Sequence, residues 1–262
     1  MPPRFHCPTL THYALSDTSS VPDNSKPLCE LDPTQAHHAQ RVLRLGPDAP
    51  IELFDGQGHT APAIIVQADR RKVQCRVGKA FFTPAAATTL TVATALPKGS
   101  RAEDLVNQLT QLGADEVVPL NCDRSVVDAR PNKIERLNKA ALAATKQCQR
   151  AHMLTVQSPI SFSDALARAA AASAARLLSP AAAPWPPASI QHDLAAADNI
   201  WLLVGPEGGW SDAELAAADN AQIKRWSLNP NVLRIETAAT AAAAILRYAT
   251  FSLPENSQPL SL

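Results

Sequence analysis

Apolar positions divide the chain into two differently patterned stretches. Over residues 1–80 they fall into short runs, IELF at 51–54, PAIIV at 62–66 and KVQCRV at 72–77, which read as strands, with Asp55-Gly56-Gln57-Gly58 as a turn between the first two. Ahead of them, Asp32-Pro33 has the form of an N-cap followed by proline at the first helical position. It predicts a helix over 33–45, stopped at Gly46-Pro47. A helix with short strands joined by turns suggests a small β-barrel-like module, and FFTPAAATT at 81–89 reads as a linker.

From about residue 90 strands and helices alternate. LTVATAL is strand-like. Ser100 and Glu103 are spaced as a capping box opening a helix striped by Leu105, Leu109 and Leu112, with Gly113 just past its end. EVVPL at 116–120 reads as a strand, Pro131 opens a helix to about Gln149, and MLTVQ is a short strand. The alanine-rich stretch 163–178 reads as a helix by propensity, and 180–198 as a Pro/Ala-rich surface loop. IWLLV at 200–204 is a continuous apolar run, as expected of a buried parallel strand. Ser211 and Glu214 form a second capping box for a helix over 211–219, followed by a strand near 223–228 and a helix over 235–250. This alternation predicts an α/β domain with a mostly parallel sheet.

Composition narrows the function class. Lys+Arg and Asp+Glu are both 24, so the net charge is zero, which excludes a polybasic protein held to nucleic acid by bulk charge but not a local basic patch. Five cysteines with no CxxC and no pair close in sequence argue against a disulfide framework or zinc site and fit a reducing cytoplasm. The N-terminus has no apolar run of signal-peptide length, and no stretch approaches membrane-spanning length.

Only 9 residues are glycine, and Gly205, Gly208 and Gly209 cluster directly after the buried strand, in Gly205-Pro206-Glu207-Gly208-Gly209. Ligands of open α/β sheets bind beyond the carboxyl ends of the strands, where glycines let backbone approach a ligand closely. The loop is neither GxGxxG nor GxxxxGK[ST], and Glu207 would repel a phosphate. The bland alternative is a tight strand-to-helix turn. Asn229-Pro230-Asn231-Val232-Leu233-Arg234-Ile235-Glu236-Thr237-Ala238 again joins a strand to a helix; by itself it reads as ordinary N-terminal helix chemistry, with Arg234 paired to Glu236. His37, Arg41 and Arg44 fall on one stripe of the 33–45 helix, leaving Ala39, Val42 and Leu43 to pack. Lys133, Arg136, Lys139, Lys146 and Arg150 add positive charge. These groups suit RNA phosphates or are solvated helix faces. His37-His38 lacks the further ligands a metal site needs, so no metal is expected.

Together these segments resemble the 16S ribosomal RNA (uracil-N3) methyltransferase family, RsmE, of the SPOUT class. The resemblance runs from about residue 35 to 250 through HHAQRVLRLGPDAPIELFDGQG at 37–58, LVNQLTQLGADEVVPLNCDRSVV at 105–127, KQCQR at 146–150, LLVGPEGGWSDAEL at 202–215 and NVLRIETA at 231–238. It implies a small N-terminal PUA-like β-barrel that binds RNA, residues 1–82, and a trefoil-knotted α/β parallel-sheet domain, residues 83–262. It implies a cytoplasmic homodimer that uses S-adenosylmethionine to methylate N3 of one uridine in 16S rRNA of the small ribosomal subunit. The implied cofactor residues are Leu203, Val204, Gly205, Pro206, Glu207, Gly208, Gly209, Leu228, Asn229, Val232 and Leu233. Arg234 is the implied stabiliser of the developing uracil anion, with Glu207 or Glu236 orienting it or taking the proton. His37, Arg41, Arg44, Arg124 and Arg150 are the implied RNA contacts. The chain departs from the family pattern at Gln108 and Gln111 (usually Lys and Glu), at Lys146, at Asn229 (usually Gly) and at Asn231 (usually Arg). Two rival readings stay open: a non-catalytic scaffold that binds RNA or a ribosomal particle, and a SPOUT methyltransferase with another RNA target.

Overall fold

Asp32 caps a helix as its sequence context demands: its Oδ1 accepts from the Thr34 and Gln35 backbone N–H groups at 2.8 and 3.0 Å. The computed structural model in which this is seen describes residues 2–14, 27–69, 72–126 and 130–250; Val127 of the 105–127 match and the residues after 250 lie outside them. The chain forms two units, Met1–Ala85 with Thr145–Met153, and Ala86–Ala144 with Leu154–Leu262.

The first unit contains β1 (Arg4–His6), α1 (Leu10–Ala14), β2 (Leu28–Glu30), α2 (Pro33–His37), β3 (Pro50–Phe54), β4 (His59–Ala68), β5 (Val73–Val77) and β6 (Phe81–Phe82). Its sheet runs β1-β3-β4-β5-β2, with β6 on β4. The three strands legible in the sequence are β3, β4 and β5, antiparallel neighbours. Alternate residues Val73, Cys75 and Val77 of β5 are buried, turned toward a core built on Phe5, Leu10, Ile51 and Leu53. Phe81 and Phe82, expected in a linker, instead pair with Thr60 and His59. Residues 145–153 belong to this unit through backbone bonds: Gly58 N–H donates to the Ala151 carbonyl at 3.1 Å, and Met153 N–H to the Gly56 carbonyl at 2.9 Å.

The 33–45 helix is not continuous. After α2 one π-helical turn covers His38–Val42, in which Leu43 N–H reaches back to the His38 carbonyl at 3.0 Å. Arg44 then takes φ +54°, ending the helix before Gly46. The wider turn interrupts the 3.6-residue spacing and Arg44 lies beyond it, while His37, Arg41 and Arg44 are all exposed. Val42 and Leu43, expected to pack, are exposed, whereas Ala39 is buried.

The second unit contains β7 (Thr89–Thr94), α3 (Arg101–Gln111), β8 (Glu116–Asn121), α4 (Pro131–Cys148, whose last residues group with the first unit), β9 (Thr155–Val156), β10 (Ile160–Ser161), α5 (Phe162–Ala170), β11 (Ala174–Leu178), α6 (Pro187–Leu194), β12 (Asn199–Val204), α7 (Asp212–Asn220), β13 (Lys224–Trp226) and α8 (Ile235–Thr250). Strand order is β10-β8-β7-β12-β11-β13, with β9 also on β8 and every pairing parallel. This is the expected α/β architecture. β12 explains its own unbroken apolar run: Ile200, Leu202 and Val204 join a core with α3 and α8, while Trp201 and Leu203 join one on the opposite face with α5 and α7.

Three local expectations fail, each to a tertiary partner. The alanine-rich helix stops at Ala170, and residues 174–178 form β11 between β12 and β13, where Leu177 and Leu178 are buried. The 180–198 loop contains α6 and contributes Trp185, Ile190 and Leu194 to the core. Ser100 has helical dihedrals and caps nothing; Glu103 pairs instead with Arg136 at 2.8 Å. No helix among the described residues is long and apolar enough to cross a membrane.

Gly113 ends α3 in a Schellman motif: its N–H bonds the Thr110 carbonyl, Ala114 N–H bonds the Leu109 carbonyl, and its φ is +90°. A Cβ there meets only ordinary contacts with Arg247, so the cost of Gly113→Ala is conformational. We expect a loss of about 1–2 kcal/mol, measured as a lowered urea midpoint.

Candidate functional site

The carboxyl ends of β11, β12 and β13 lie side by side, because Leu178 is in register with Trp226 and Leu177 with Leu203. Beyond them opens a cavity of about 350 Å³. Its walls come from three segments, 178–181 after β11, 204–210 after β12 and 226–235 between β13 and α8, with Leu215 of α7 and Ala238 of α8. Trp226, Leu228 and Leu233 make one side apolar.

The glycine-rich loop is held by Trp210. This indole is buried, packs against Phe162 with ring centroids 5.0 Å apart, and donates Nε1–H to the Leu178 carbonyl at 2.8 Å. Gly205 lies directly against it: a Cβ there would come within 2.8 Å of the indole Cε2. Gly209 takes φ +70°. Ser211 then caps α7 reciprocally, accepting from Glu214 N–H at 3.1 Å while Glu214 accepts from Ser211 N–H at 2.7 Å. Buried Glu214 also accepts Asp123 N–H at 3.0 Å, tying this loop to the end of β8. Arg124 completes the clamp by donating to the Gly208 and Trp210 carbonyls, both at 3.1 Å.

The 226–235 segment is shaped by local polar bonds. Ser227 Oγ donates to the Asn229 carbonyl at 2.9 Å, and Asn231 N–H donates to Asn229 Oδ1 at 2.7 Å, an Asx turn. Alternate side chains then face two ways. Leu233 and Ile235 line the cavity, whereas Arg234 and Glu236 line a polar groove of about 540 Å³ with Arg101, Asp104, Asn107, Gln108 and Gln111. Arg234 is exposed and has no ion-pair partner among the described residues. Glu236 pairs with Arg101, Nη1 to Oε1 at 3.4 Å, and its Oε2 is buried with no hydrogen-bond partner among the described residues. Arg101 also faces Glu207, Nη2 to Oε1 at 3.9 Å.

Of the eleven expected cofactor residues, Val204, Gly205, Pro206, Glu207, Gly209, Leu228, Asn229, Val232 and Leu233 line the cavity. Leu203 does not; it is fully buried in the core of the opposite face, one residue out of phase with Val204. Gly208 does not either; it lies against Arg124. The expected Arg234–Glu236 pair is replaced by Arg101–Glu236. Sequence reasoning missed Arg101, Trp210, Trp226 and the 178–181 segment. Trp210 directly follows GPEGG and was visible; the 178–181 segment was hidden by the helix assigned to 163–178.

Among the RNA candidates, His37, Arg41 and Arg44 are exposed in the first unit. Arg150 is half-buried there, and its carbonyl accepts from Arg4 at 3.1 Å. Arg124 belongs to the second unit, with its guanidinium engaged by the loop carbonyls. Within the 133–150 basic run, Arg136 pairs with Glu103 and Lys139 with Glu135 at 2.5 Å. Lys146 donates to Gln35 and sits 5.4 Å from the Phe5 ring centroid; burial lowers its pKa. Gln108 accepts from Thr240 at 2.9 Å, joining α3 to α8.

A concave apolar cavity of this size with a few polar groups at its rim suits a flat heterocycle with a short polar tail, and thus fits S-adenosylmethionine. Residues 84–247 match the family model described as an RNA methyltransferase domain, and residues 31–78 the one described as an RNA methyltransferase PUA domain. The ribosomal RNA small subunit methyltransferase E of Mycobacterium bovis is 32% identical over 231 residues, 85% of this chain and 87% of that protein. A Legionella pneumophila protein described as a methyltransferase, solved with the bound cofactor SAM, superposes with a TM-score of 0.76 at 27% identity, covering 85% of this chain and 92% of that one. The ribosomal RNA small subunit methyltransferase E of Neisseria gonorrhoeae shares the fold with a TM-score of 0.80 at 24% identity, over 95% of this chain and 98% of that one. The cavity and groove described above therefore lie in a chain that belongs to the RNA methyltransferase family of the small-subunit methyltransferase E proteins.

Proposed function

We propose that the chain is an enzyme that transfers the methyl group of S-adenosylmethionine to N3 of a uridine in 16S rRNA of the small ribosomal subunit. The same reading makes it a cytoplasmic homodimer with a trefoil-knotted second domain and an RNA-binding first domain that uses His37, Arg41, Arg44 and Arg150. The observation that carries it is the cavity at the carboxyl ends of β11, β12 and β13, with a polar groove on the other side of the 233–236 segment.

When bound, S-adenosylmethionine supplies a methyl group made electrophilic by its sulfonium. Trp226, Leu228 and Leu233 hold the cofactor and keep water away from it. The uracil ring enters from the groove. Methylation at N3 requires loss of the N3 proton, and the resulting negative charge spreads to the two ring carbonyl oxygens. Arg234, unpaired in the groove, donates to one of those oxygens and stabilises that charge. Glu236, which lines the same groove, accepts the proton on its carboxylate. Arg101 is a positioning residue that pairs with both the Glu236 and the Glu207 carboxylates.

Purified protein is expected to bind S-adenosylmethionine by calorimetry and to place N3-methyluridine in small subunits lacking that modification, read by mass spectrometry of digested rRNA. Binding without rRNA methylation would redirect the proposal to another RNA. Absence of both would leave a non-catalytic scaffold. Arg234→Ala is expected to lower kcat about 10²–10³-fold with cofactor affinity unchanged, the scale of a lost transition-state donor. Arg101→Gln is expected to lower kcat about tenfold, and Arg101→Lys to restore most of it, since one to two kcal/mol of positioning is at stake. Gly205→Ala pushes Trp210 off the Leu178 carbonyl and is expected to weaken cofactor binding at least about tenfold in the same calorimetric assay, the 1.4 kcal/mol equivalent of one lost buried hydrogen bond.

A further inference from the structure

Cys7 and Cys29 have no apparent relation in the sequence, yet their sulfurs lie 3.2 Å apart in the core of the first unit. Their positions in the sheet are what give this meaning. In the order β1-β3-β4-β5-β2, the strands at the two ends are β1 and β2. Cys7 directly follows β1 and extends its ladder, donating its N–H to the Phe54 carbonyl at 2.8 Å. Cys29 is the middle residue of β2, opposite Cys75 of β5. The sheet therefore curls until its two edges meet, and the contact at that seam is between two thiols. Both are buried, at 5% and 1% exposure.

We propose that Cys7 and Cys29 are a thiol–disulfide site that locks the two edges of the N-terminal sheet covalently when a low-molecular-weight disulfide such as oxidised glutathione is present. This inference is independent of the methyl-transfer reading.

The two thiols are not equivalent. Hydrogen bonding from Cys29 brings the Cys7 thiol down to about 7, and the same bond holds the proton on Cys29, whose pKa is raised. Cys7 is thus the attacking sulfur. Its thiolate bonds to one sulfur of glutathione disulfide, and the other glutathione leaves as a thiolate. Cys29 then attacks the Cys7 sulfur and gives its proton to the first released thiolate, and the second glutathione leaves as a thiolate that takes from solvent the proton Cys7 had lost. Two protein thiols are oxidised and one glutathione disulfide is reduced to two thiols. Once Cys7 is in the mixed disulfide it no longer carries the charge that held the Cys29 proton, so the second step is freed by the first. Access to Cys7 comes through opening of the sheet edge, where β1 and β2 have only three residues each. Cys75 is fully buried and pushed up to about 12 by that burial, and Cys122 is pushed to about 12 as well, so neither competes as the nucleophile.

The test uses the full-length protein. It is incubated with oxidised glutathione, blocked with iodoacetamide, and analysed by intact mass and peptide mapping without reduction. The expected product yields a peptide linking Cys7 to Cys29 that is two hydrogens lighter than the two free peptides together and carries no glutathione at either residue; before blocking, the protein melts at a higher temperature than the reduced form and returns to it with dithiothreitol. Cys75→Ala is expected to give the same link, whereas Cys29→Ala leaves glutathione attached at Cys7. If all five cysteines are alkylated after oxidation, if the link maps to Cys29 and Cys75, or if the parent protein retains glutathione at Cys7, the proposal is overturned. The peptide map of the parent protein decides even where a variant fails to fold.

Discussion

The missing side chain at Gly205 is the constraint on which the candidate site rests. Because no Cβ stands there, the Trp210 indole lies against the backbone at the end of β12 and reaches the Leu178 carbonyl at the end of β11. That contact fixes where the loop turns, and so where Ser211 begins α7. The Ser211 cap in turn places Glu214, which holds Asp123 N–H, and the neighbouring Arg124 returns to the carbonyls of Gly208 and Trp210. The bonds form a closed circuit through three strand ends, so the loop is rigid without regular structure of its own. The Trp210–Leu178 bond is buried and neutral, and contributes about 0.5–1.5 kcal/mol; the others are partly or fully exposed and act chiefly on the shape of the loop.

The wall between cavity and groove is a few residues of extended chain. Its alternation separates apolar from polar function with no extra element: Leu233 and Ile235 face one side, Arg234 and Glu236 the other. The ion pairs of Arg101 span 3.4 and 3.9 Å with its side chain 37% exposed. Pairs of that exposure contribute little to stability, typically below about 1 kcal/mol. Their significance is geometric: they join the loop after β12 to the first turn of α8.

What could be read in the sequence was what short-range chemistry determines. β12 declared itself by an unbroken apolar run, α7 by its capping box, and the cavity loop by three of the chain's few glycines. What could not be read depends on distant partners. Alanine propensity carries a helix forward from residue 163, but only the presence of β12 and β13 turns residues 174–178 into a strand. Ser100 and Glu103 have capping-box spacing, yet Arg136 takes the glutamate. Arg101 meets partners 106 and 135 positions along the chain, a pairing that no local window contains. The π-helical turn has no signature in residues 33–45, and it interrupts the ideal helical spacing assumed there.

The N-terminal unit is not contiguous in the gene. Its sheet is written in the first 85 residues, but Thr145–Met153 supply the carbonyl that receives Gly58 N–H, the amide that reaches Gly56, and the two carbonyls that accept from Arg4 Nη1. A piece cut at residue 85 would expose those groups together with the Phe5 ring that Lys146 covers. The unit therefore cannot be excised at a single point in the sequence: residues 145–153 would have to accompany the first 85.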